Sequence, residues 1–266
     1  MRSIPVALTV AGSDPGGGAG VQADLKTFFA LGVYGLSAVT AITVQDTVRV
    51  HRTESLDPAL VAAQIDAVLD DIGADAVKTG MLATGAIVRA VAAALRRHDT
   101  RELVVDPVLI ASSGDVLLEA DGMEALVERL FPLAAVVTPN VAEAAVLVGR
   151  ALLTEDDLCW AARQLLAFGP RAAIVTGGDL GGEPIDVLAD AEQTVVIRGE
   201  RVVTSSTHGT GCTYSAAVAA RLARGDTLEA AARAAKSYVA SALRAAVPLG
   251  QGRGPLGHDL ALRARS

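Results

Sequence analysis

Thr207-His208-Gly209-Thr210-Gly211-Cys212-Thr213 leads directly into a small-residue apolar stretch that begins at Ser215. Two glycines allow a tight backbone turn that points successive N–H groups one way. A helix starting there adds its own unpaired N–H groups and its positive dipole end. Such a turn reads as a site for an anion, phosphate above all. A glycine turn before a helix also serves as a plain connection, so the segments around it decide. Working outward, short β-branched or apolar runs at residues 6–10, 35–44, 74–78, 103–105, 135–138 and 172–176 read as strands. Helical patterns lie between them, which predicts an α/β fold with a central, mainly parallel sheet flanked by helices.

The helices carry their own punctuation. Asp57-Pro58 places a capping residue before a proline at the first helical position, and Leu60, Val61, Ile65, Val68, Leu69 and Ile72 follow at helical spacing. Another helix opens over residues 154–157 and ends at Gly169-Pro170, and a last one follows Asp226 and runs to about Ala245. Runs at residues 187–188 and 195–197 read as an antiparallel addition. No internal repeat, charge block or linker interrupts the chain, so residues 1–266 are expected to form one domain.

Composition narrows the function classes. A chain of 266 residues with 51% hydrophobic residues builds an ample core. Its 23 basic and 30 acidic residues give a formal charge of −7, with no cluster of Lys and Arg among aromatics, which argues against nucleic acid as a partner. Cys159 and Cys212 are the only cysteines, too few for a disulfide scaffold or a Cys-based structural metal site. No apolar stretch reaches the roughly 20 residues that a membrane span needs. A cytoplasmic protein without a membrane partner is the expectation.

Polar residues gather where strands end. Lys78-Thr79-Gly80-Met81, Asp106-Pro107, Thr138-Pro139-Asn140 and Gly177-Gly178 each follow a predicted strand. In open α/β sheets the carboxyl ends of parallel strands form the ligand crevice, so these segments should converge on the glycine turn. The segment Ala11-Gly12-Ser13-Asp14-Pro15-Gly16-Gly17-Gly18-Ala19-Gly20 is neither a dinucleotide fingerprint nor a P-loop, since it lacks the required spacing and the G-K-[ST] ending. Its glycines let backbone approach a flat ligand closely. A helix starting near Val21 presents Asp24 in its first turn, either at the site or only as a partner of the helix dipole.

Together, A-G-S-D-P-G-G-G-A-G-V-Q-A-D-L-K-T-F, V-K-T-G-M-L, V-V-D-P-V, T-P-N-V-A-E-A and T-H-G-T-G-C-T resemble the hydroxymethylpyrimidine and hydroxymethylpyrimidine-phosphate kinases of thiamine biosynthesis. These belong to the ribokinase-like superfamily. The resemblance runs in order from Val6 to the G-P-L-G-H tail ending at His258. It implies a three-layer sandwich without the large lid of ribokinase. It also implies ATP-dependent phosphorylation of 4-amino-5-hydroxymethyl-2-methylpyrimidine and then of its monophosphate, and a homodimer.

Carried over residue by residue, the resemblance puts Gly12, Ala19, Asp24, Gln45, Met81, Val108 and Cys212 at the pyrimidine. A Gln45 amide donates and accepts at once, matching a ring nitrogen beside an exocyclic amine, and Asp24 accepts from the amine or hydroxyl. Met81 and Val108 offer faces for the ring, or are plain core. Gly209, Thr210, Gly211 and Cys212 are expected to hold the moving phosphoryl group through their N–H groups. In sugar kinases of the superfamily an aspartate base stands where Cys212 stands. Cys212 is therefore either a base, its thiol lowered by the helix N-terminus, or only a backbone donor.

Asn140 and Glu143 match an N-x-x-E element that helps order Mg²⁺ around the nucleotide, with Asp106 as a second candidate ligand. Thr176, Gly178, Gly209 and Gly211 complete the expected nucleotide contacts. One departure stands out: many relatives have V-K-G-G where this chain has Val175-Thr176-Gly177-Gly178, so a lysine facing the ATP phosphates is absent. Thr176 substitutes with its hydroxyl, or another cation does. Lys236 is too far along the sequence to assign. Two other readings remain, a pyridoxal kinase and a catalytically silent pyrimidine- or nucleotide-binding module.

Overall fold

The computed structural model of the chain describes residues 4–109, 117–178 and 180–259. In chain order the elements are β1 (Val6–Ser13), α1 (Gly20–Ala30), β2 (Tyr34–Gln45), β3 (Val50–Ser55), α2 (Pro58–Asp71), β4 (Ala76–Thr79), α3 (Gly85–Arg97), β5 (Leu103–Val105) and α4 (Ala120–Ala125). They continue with β6 (Val136–Val137), α5 (Val141–Val148), α6 (Glu155–Leu165), β7 (Ala172–Gly177), β8 (Ile185–Asp190), β9 (Thr194–Arg198), α7 (Thr210–Ala223) and α8 (Leu228–Arg244). One nine-stranded sheet runs β3-β2-β1-β4-β5-β6-β7-β8-β9. The six strands from β2 to β7 pair in parallel, and antiparallel strands extend both edges.

Strand alternation explains the three layers. In β1, Val6, Leu8 and Val10 pack into one apolar cluster while Ala7 packs into the other, and β5 divides in the same way between Leu103 and Val105 on one side and Val104 on the opposite side. Both faces are buried, so these strands read as continuous apolar runs. Buried residues of α2, α3, α5 and α6 cover the first face, and those of α1, α7 and α8 cover the second. The small residues Ala216, Ala217, Ala219 and Ala220 of α7 are fully buried, which lets the helix lie close against the sheet.

The predicted strands are present with ends shifted by a few residues, and β8 and β9 form the expected antiparallel addition. Strand β3 had no counterpart in the sequence reading. Its residues Val50-His51-Arg52-Thr53-Glu54-Ser55 are exposed or nearly so, and a polar edge strand carries no apolar alternation to detect. Helix α6 stops at Leu165, and a 3₁₀ turn over Leu166–Phe168 carries the chain to Gly169, whose φ of 98 closes it.

A C-terminal strap ties the sheet's ligand-facing edge together. Arg253 N donates to Thr47 O at 2.9 Å, His208 N donates to Gly254 O at 3.0 Å, and Tyr238 donates its hydroxyl to His258 O at 3.2 Å. His258 Nε2 lies 2.9 Å from the buried Thr213 hydroxyl. Burial, with Lys26 nearby, pulls the His258 imidazole down to about 4. The folded chain thus holds it neutral while the unfolded chain protonates it near pH 6.5. Stability therefore falls as pH drops from about 6.5 through about 4, by at most about 3 kcal/mol from this group. Urea melts at pH 7 and pH 4.5 should show a drop that His258→Gln shares only in part; equal drops would contradict the assignment.

Candidate active site

The chain order reverses at β1, whose neighbours are β2 and β4. At this switch point β1 and β4 stay paired to their carboxyl ends, but α1 and α3, which follow them, go to opposite faces of the sheet and leave a crevice. A cavity of about 790 Å³ opens there and extends along the ends of β5, β6 and β7 to α8. Four of the segments read from the sequence as strand-end loops line it with the glycine turn.

The glycine turn forms the centre of one wall. Gly209 caps α7 with φ 79, and no side chain caps the helix. A Cβ on Gly209 would lie 1.9 Å from Gly18 O, so only glycine lets the two glycine loops touch. The Thr210 N–H turns back toward Thr207 O at 3.4 Å. That leaves the N–H groups of Gly211 and Cys212 as the open donors of the first turn among the described residues. Gly211 is exposed, and an added Cβ would meet nothing within 4 Å. An anion at this point receives two aligned N–H groups and the positive end of a 14-residue helix.

Gly12, Ala19, Gln45, Met81 and Val108 all line the neighbouring part of the cavity. A Cβ on Gly12 would come within 3.2 Å of Met81 Sδ, so its absence lets Met81 pack closely on the backbone at this part of the wall. Asp24 departs from the expectation. Its side chain is 0% exposed and absent from the cavity wall; its Oδ2 takes Thr9 Oγ1 at 2.6 Å, and both oxygens take Lys78 Nζ at 2.8 and 3.0 Å. A carboxylate fully engaged beneath the wall has no oxygen to offer an amine, so Asp24 supports the site through Lys78. Its position one turn into α1 points it toward the sheet rather than the cavity.

Lys78 itself lines the cavity although its side chain is buried. Burial works against its charge, but Asp24, with Cys212 and Asp106 beyond it, outweighs burial and holds the ammonium protonated. Burial pushes the Asp106 carboxyl up, opposed by Lys78 and by Ser215, whose hydroxyl donates to Oδ2 at 2.8 Å. The Cys212 thiol is pushed up to about 12 by burial, opposed by Lys78 and reinforced by Asp106 and Asp24. The residue is half-buried by surface area, yet desolvation dominates its surroundings. The thiol is protonated at neutral pH, so the lowering expected from the helix terminus is overridden.

At the far end, Asn140 and Glu143 close a reciprocal capping box on α5: Glu143 N donates to Asn140 Oδ1 at 2.9 Å, and Asn140 N donates to Glu143 Oε2 at 3.0 Å. Both line the cavity with Asp106, Thr138, Thr176 and Gly178. The Thr138 hydroxyl is buried without a hydrogen-bond partner. Asp106 and the orphaned Thr138 hydroxyl at the ends of β5 and β6, with Glu143 in the first turn of α5, make an oxygen-rich donor set that fits a hard cation such as Mg²⁺ retaining several waters.

Lys236, unplaced by sequence, enters this end from α8. Its Nζ lies 2.9 Å from Asp186 Oδ2, both side chains nearly buried in the wall. Asp186 is the direct cross-strand partner of Thr176, so the two side chains share a face of the sheet. An ammonium thus stands beside the position where the expected lysine is missing. Gly199 leaves it room, since a Cβ there would sit 2.6 Å from Lys236 Cε. Arg201 braces the adjacent loop by donating to the carbonyls of Leu180, Gly182 and Gly178 at 2.5, 2.7 and 3.2 Å. Neither Lys236 nor Arg201 carries a local sequence signal, because both act across long sequence separations.

Residues 14–257 match the family model described as phosphomethylpyrimidine kinase. The hydroxymethylpyrimidine/phosphomethylpyrimidine kinase of Rhizobium meliloti is 49% identical, the match covering 95% of this chain and 96% of that protein. Among solved structures, an ADP complex of Bacillus subtilis pyridoxal kinase superposes with a TM-score of 0.91 at 41% identity, covering 98% of this chain and 99% of that one. A phosphomethylpyrimidine kinase from Clostridium difficile gives 0.80 at 38% identity, covering 90% and 99%. With likeness at this level over nearly its whole length, and an uncapped helix start facing the crevice, the chain belongs to the phosphomethylpyrimidine kinase family and is a phosphotransferase.

Proposed function

We propose that the chain, as one kinase domain over residues 1–266, transfers the terminal phosphoryl group of ATP to the hydroxymethyl oxygen of 4-amino-5-hydroxymethyl-2-methylpyrimidine. It then phosphorylates the monophosphate so formed, giving the pyrophosphate used to build thiamine. One observation carries the reading: the open N–H groups of Gly211 and Cys212 line the same cavity as Gln45 at the end of β2 and Thr176 in β7, and α7 packs on β1, β4 and β5, which lie between those two strands. A flat ring with its hydroxymethyl group at the helix start, and a nucleotide reaching the same point from the other side, fit that order. The names of the curated relatives support it.

In this reading Gln45 takes the ring edge, and Gly12, Ala19, Met81 and Val108 bound its faces. The N–H groups of Gly211 and Cys212 balance charge on the moving phosphoryl group, with the protonated Lys78 beneath. Gly209 sets the direction of these groups, and Thr210 closes the turn behind them. A loose phosphoryl-transfer transition state asks mainly for positioning and electrostatics, and a protonated Cys212 thiol suits a backbone donor better than a base. Glu143 and Asp106, with Asn140 beside them, would hold Mg²⁺ and its waters; bound there, the ion neutralises phosphate charge. The test is incubation with Mg-ATP and the pyrimidine alcohol: a mass gain of one phosphate supports the reading, and unaltered alcohol contradicts it.

Lys236 is the side-chain cation beside Thr176 and Asp186 at the nucleotide end, where Arg198, Arg201, Arg233 and Arg244 also line the cavity. Lys236→Met is expected to raise the ATP KM about tenfold, the effect of losing one charge-assisted hydrogen bond, with a smaller change in kcat. Thr176→Lys in that background should recover part of the loss, because it places an ammonium next to Asp186 again. An unchanged ATP KM in Lys236→Met would contradict this role.

A second reading, phosphorylation of pyridoxal, is favoured by the close likeness to the Bacillus subtilis pyridoxal kinase. Pyridoxal also carries a hydroxymethyl group on a flat ring, so the reading stands as a side activity. A homodimer is favoured by the β2–β3 edge, where Ile42 and Val44 are 46% and 54% exposed and Val48 is 57% exposed in the turn between the strands. Both described cysteines are free, and no described helix is long and apolar enough to cross a membrane. Use of ATP keeps the cytoplasm as the proposed compartment.

A further inference from the structure

Asp14 gathers the first glycine loop around itself. Its Oδ1 accepts from Gly16 N at 2.8 Å, and its Oδ2 accepts from Ala19 N at 2.9 Å and Gly18 N at 3.1 Å. Burial pushes this carboxyl up, but His208 and the N–H groups outweigh it and hold it below the usual carboxylate range. Asp14 is therefore an ionised, acceptor-only group. His208 Nε2 lies 2.9 Å from its Oδ2. A bare imidazole lone pair facing a carboxylate would be repelled, so Nε2 carries the proton.

The same Nε2 lies 3.3 Å from the Gln45 amide nitrogen, while Gln45 Oε1 lies 3.3 Å from Thr43 Oγ1. Thr43 has one hydroxyl proton and donates it to Ser13 O at 2.9 Å. In that orientation the amide sets donor against donor at His208, and acceptor against an oxygen without a free proton at Thr43. A half-turn of the amide removes both conflicts: Oε1 takes the longer arm of a three-centre bond from the single His208 Nε2–H, whose shorter arm goes to Asp14 Oδ2, and Nε2 donates to Thr43 Oγ1. One lone pair of Oε1 and one proton of Nε2 then remain for a ligand in the cavity, in a fixed order.

We propose that His208, locked as a donor by Asp14, fixes the Gln45 amide with its oxygen toward the anion loop and its nitrogen toward Thr43, and so selects rings that carry an amine, not a carbonyl, next to the hydroxymethyl-bearing carbon. The inference rests on the pyrimidine reading above. His208 directly precedes Gly209, so the Gln45 oxygen beside it is the amide end nearer Gly211 and Cys212, and a hydroxymethyl group placed there sets its adjacent ring position against that oxygen. An amine there donates to Oε1, and the ring nitrogen beyond it accepts from Nε2. Pyridoxal carries an aldehyde carbonyl at the adjacent position, which would set acceptor against acceptor. His208 is a positioning residue: it acts on the ligand through Gln45.

The experiment measures kcat and KM with Mg-ATP for the pyrimidine alcohol and for pyridoxal, in the intact protein and in His208→Phe and His208→Gln. Phe keeps the ring that packs on Gly18 but has no donor, whereas Gln keeps a donor. His208→Phe should lower the preference for the pyrimidine over pyridoxal about tenfold, mainly through the pyrimidine KM, with the ATP KM within about twofold. His208→Gln should retain more of the preference. Equal losses on both substrates would overturn the inference while leaving the pyrimidine reading intact; an unmodified protein inert on the pyrimidine would overturn both. Long-range ¹H–¹⁵N spectra of the histidine-labelled protein test it without any substitution: a proton on His208 Nε2 is expected, and a proton on Nδ1 alone would overturn it.

Discussion

Gly211→Leu is expected to lower turnover by at least about 10³-fold while leaving the thermal midpoint nearly unchanged. An added Cβ at Gly211 meets nothing within 4 Å, so the folded chain accepts a larger side chain. The space it fills is the space in front of the helix start, where the transferred phosphoryl group must sit. Losing one such donor commonly costs 10²–10³ in rate, and a bulky side chain displaces the anion from both open N–H groups together. Gly209→Ala should behave differently. At φ 79, with Gly18 O only 1.9 Å from the new Cβ, it drives the two glycine loops apart and lowers the melting temperature as well as activity. Circular-dichroism melts beside initial rates separate the two cases. A Gly211→Leu variant with full activity would remove the anion-trap reading.

Asp24→Ala carries the largest expected effect on stability. It strips the partner from a lysine whose side chain is 0% exposed, and breaking such a buried pair costs about 3–5 kcal/mol because the remaining charge is stranded. Removing both charges in Asp24→Leu/Lys78→Met should cost less than Asp24→Ala alone in urea melts. Burial pushes Asp24 up while Lys78 is held protonated, so the pair stays ionised through mutual attraction against desolvation. A loss below about 1 kcal/mol for Asp24→Ala would show that Lys78 has another way to keep its charge satisfied.

Much of the fold was legible because its signals are local. Continuous apolar runs marked strands buried on both faces, and Asp57-Pro58 announced α2, whose Asp57 Oδ1 accepts from Ala59 N at 2.8 Å. The polar edge strand β3 was invisible because its pairing with β2, not its own side chains, holds it in place. Around the candidate site, the glycine turn before α7 was legible because the backbone there demands Gly209, and the N-x-x-E spacing of Asn140 and Glu143 is the spacing of the capping box that opens α5. The resemblance carried Asp24 to the pyrimidine, but a motif match gives a position along the chain and not the buried contact with Lys78, 54 residues away. His208 and Asp14 stood in quoted segments without roles, since they meet across 194 residues. The Asp14-Pro15-Gly16 sequence did carry a usable signal, an aspartate turn that accepts from the N–H two residues on.

The most direct test of the account is incubation of the purified protein with Mg-ATP and the monophosphate of 4-amino-5-hydroxymethyl-2-methylpyrimidine, with products identified by mass. The account predicts a second phosphate added to the first, giving the pyrophosphate. Unchanged monophosphate, in a preparation that phosphorylates pyridoxal, would contradict it.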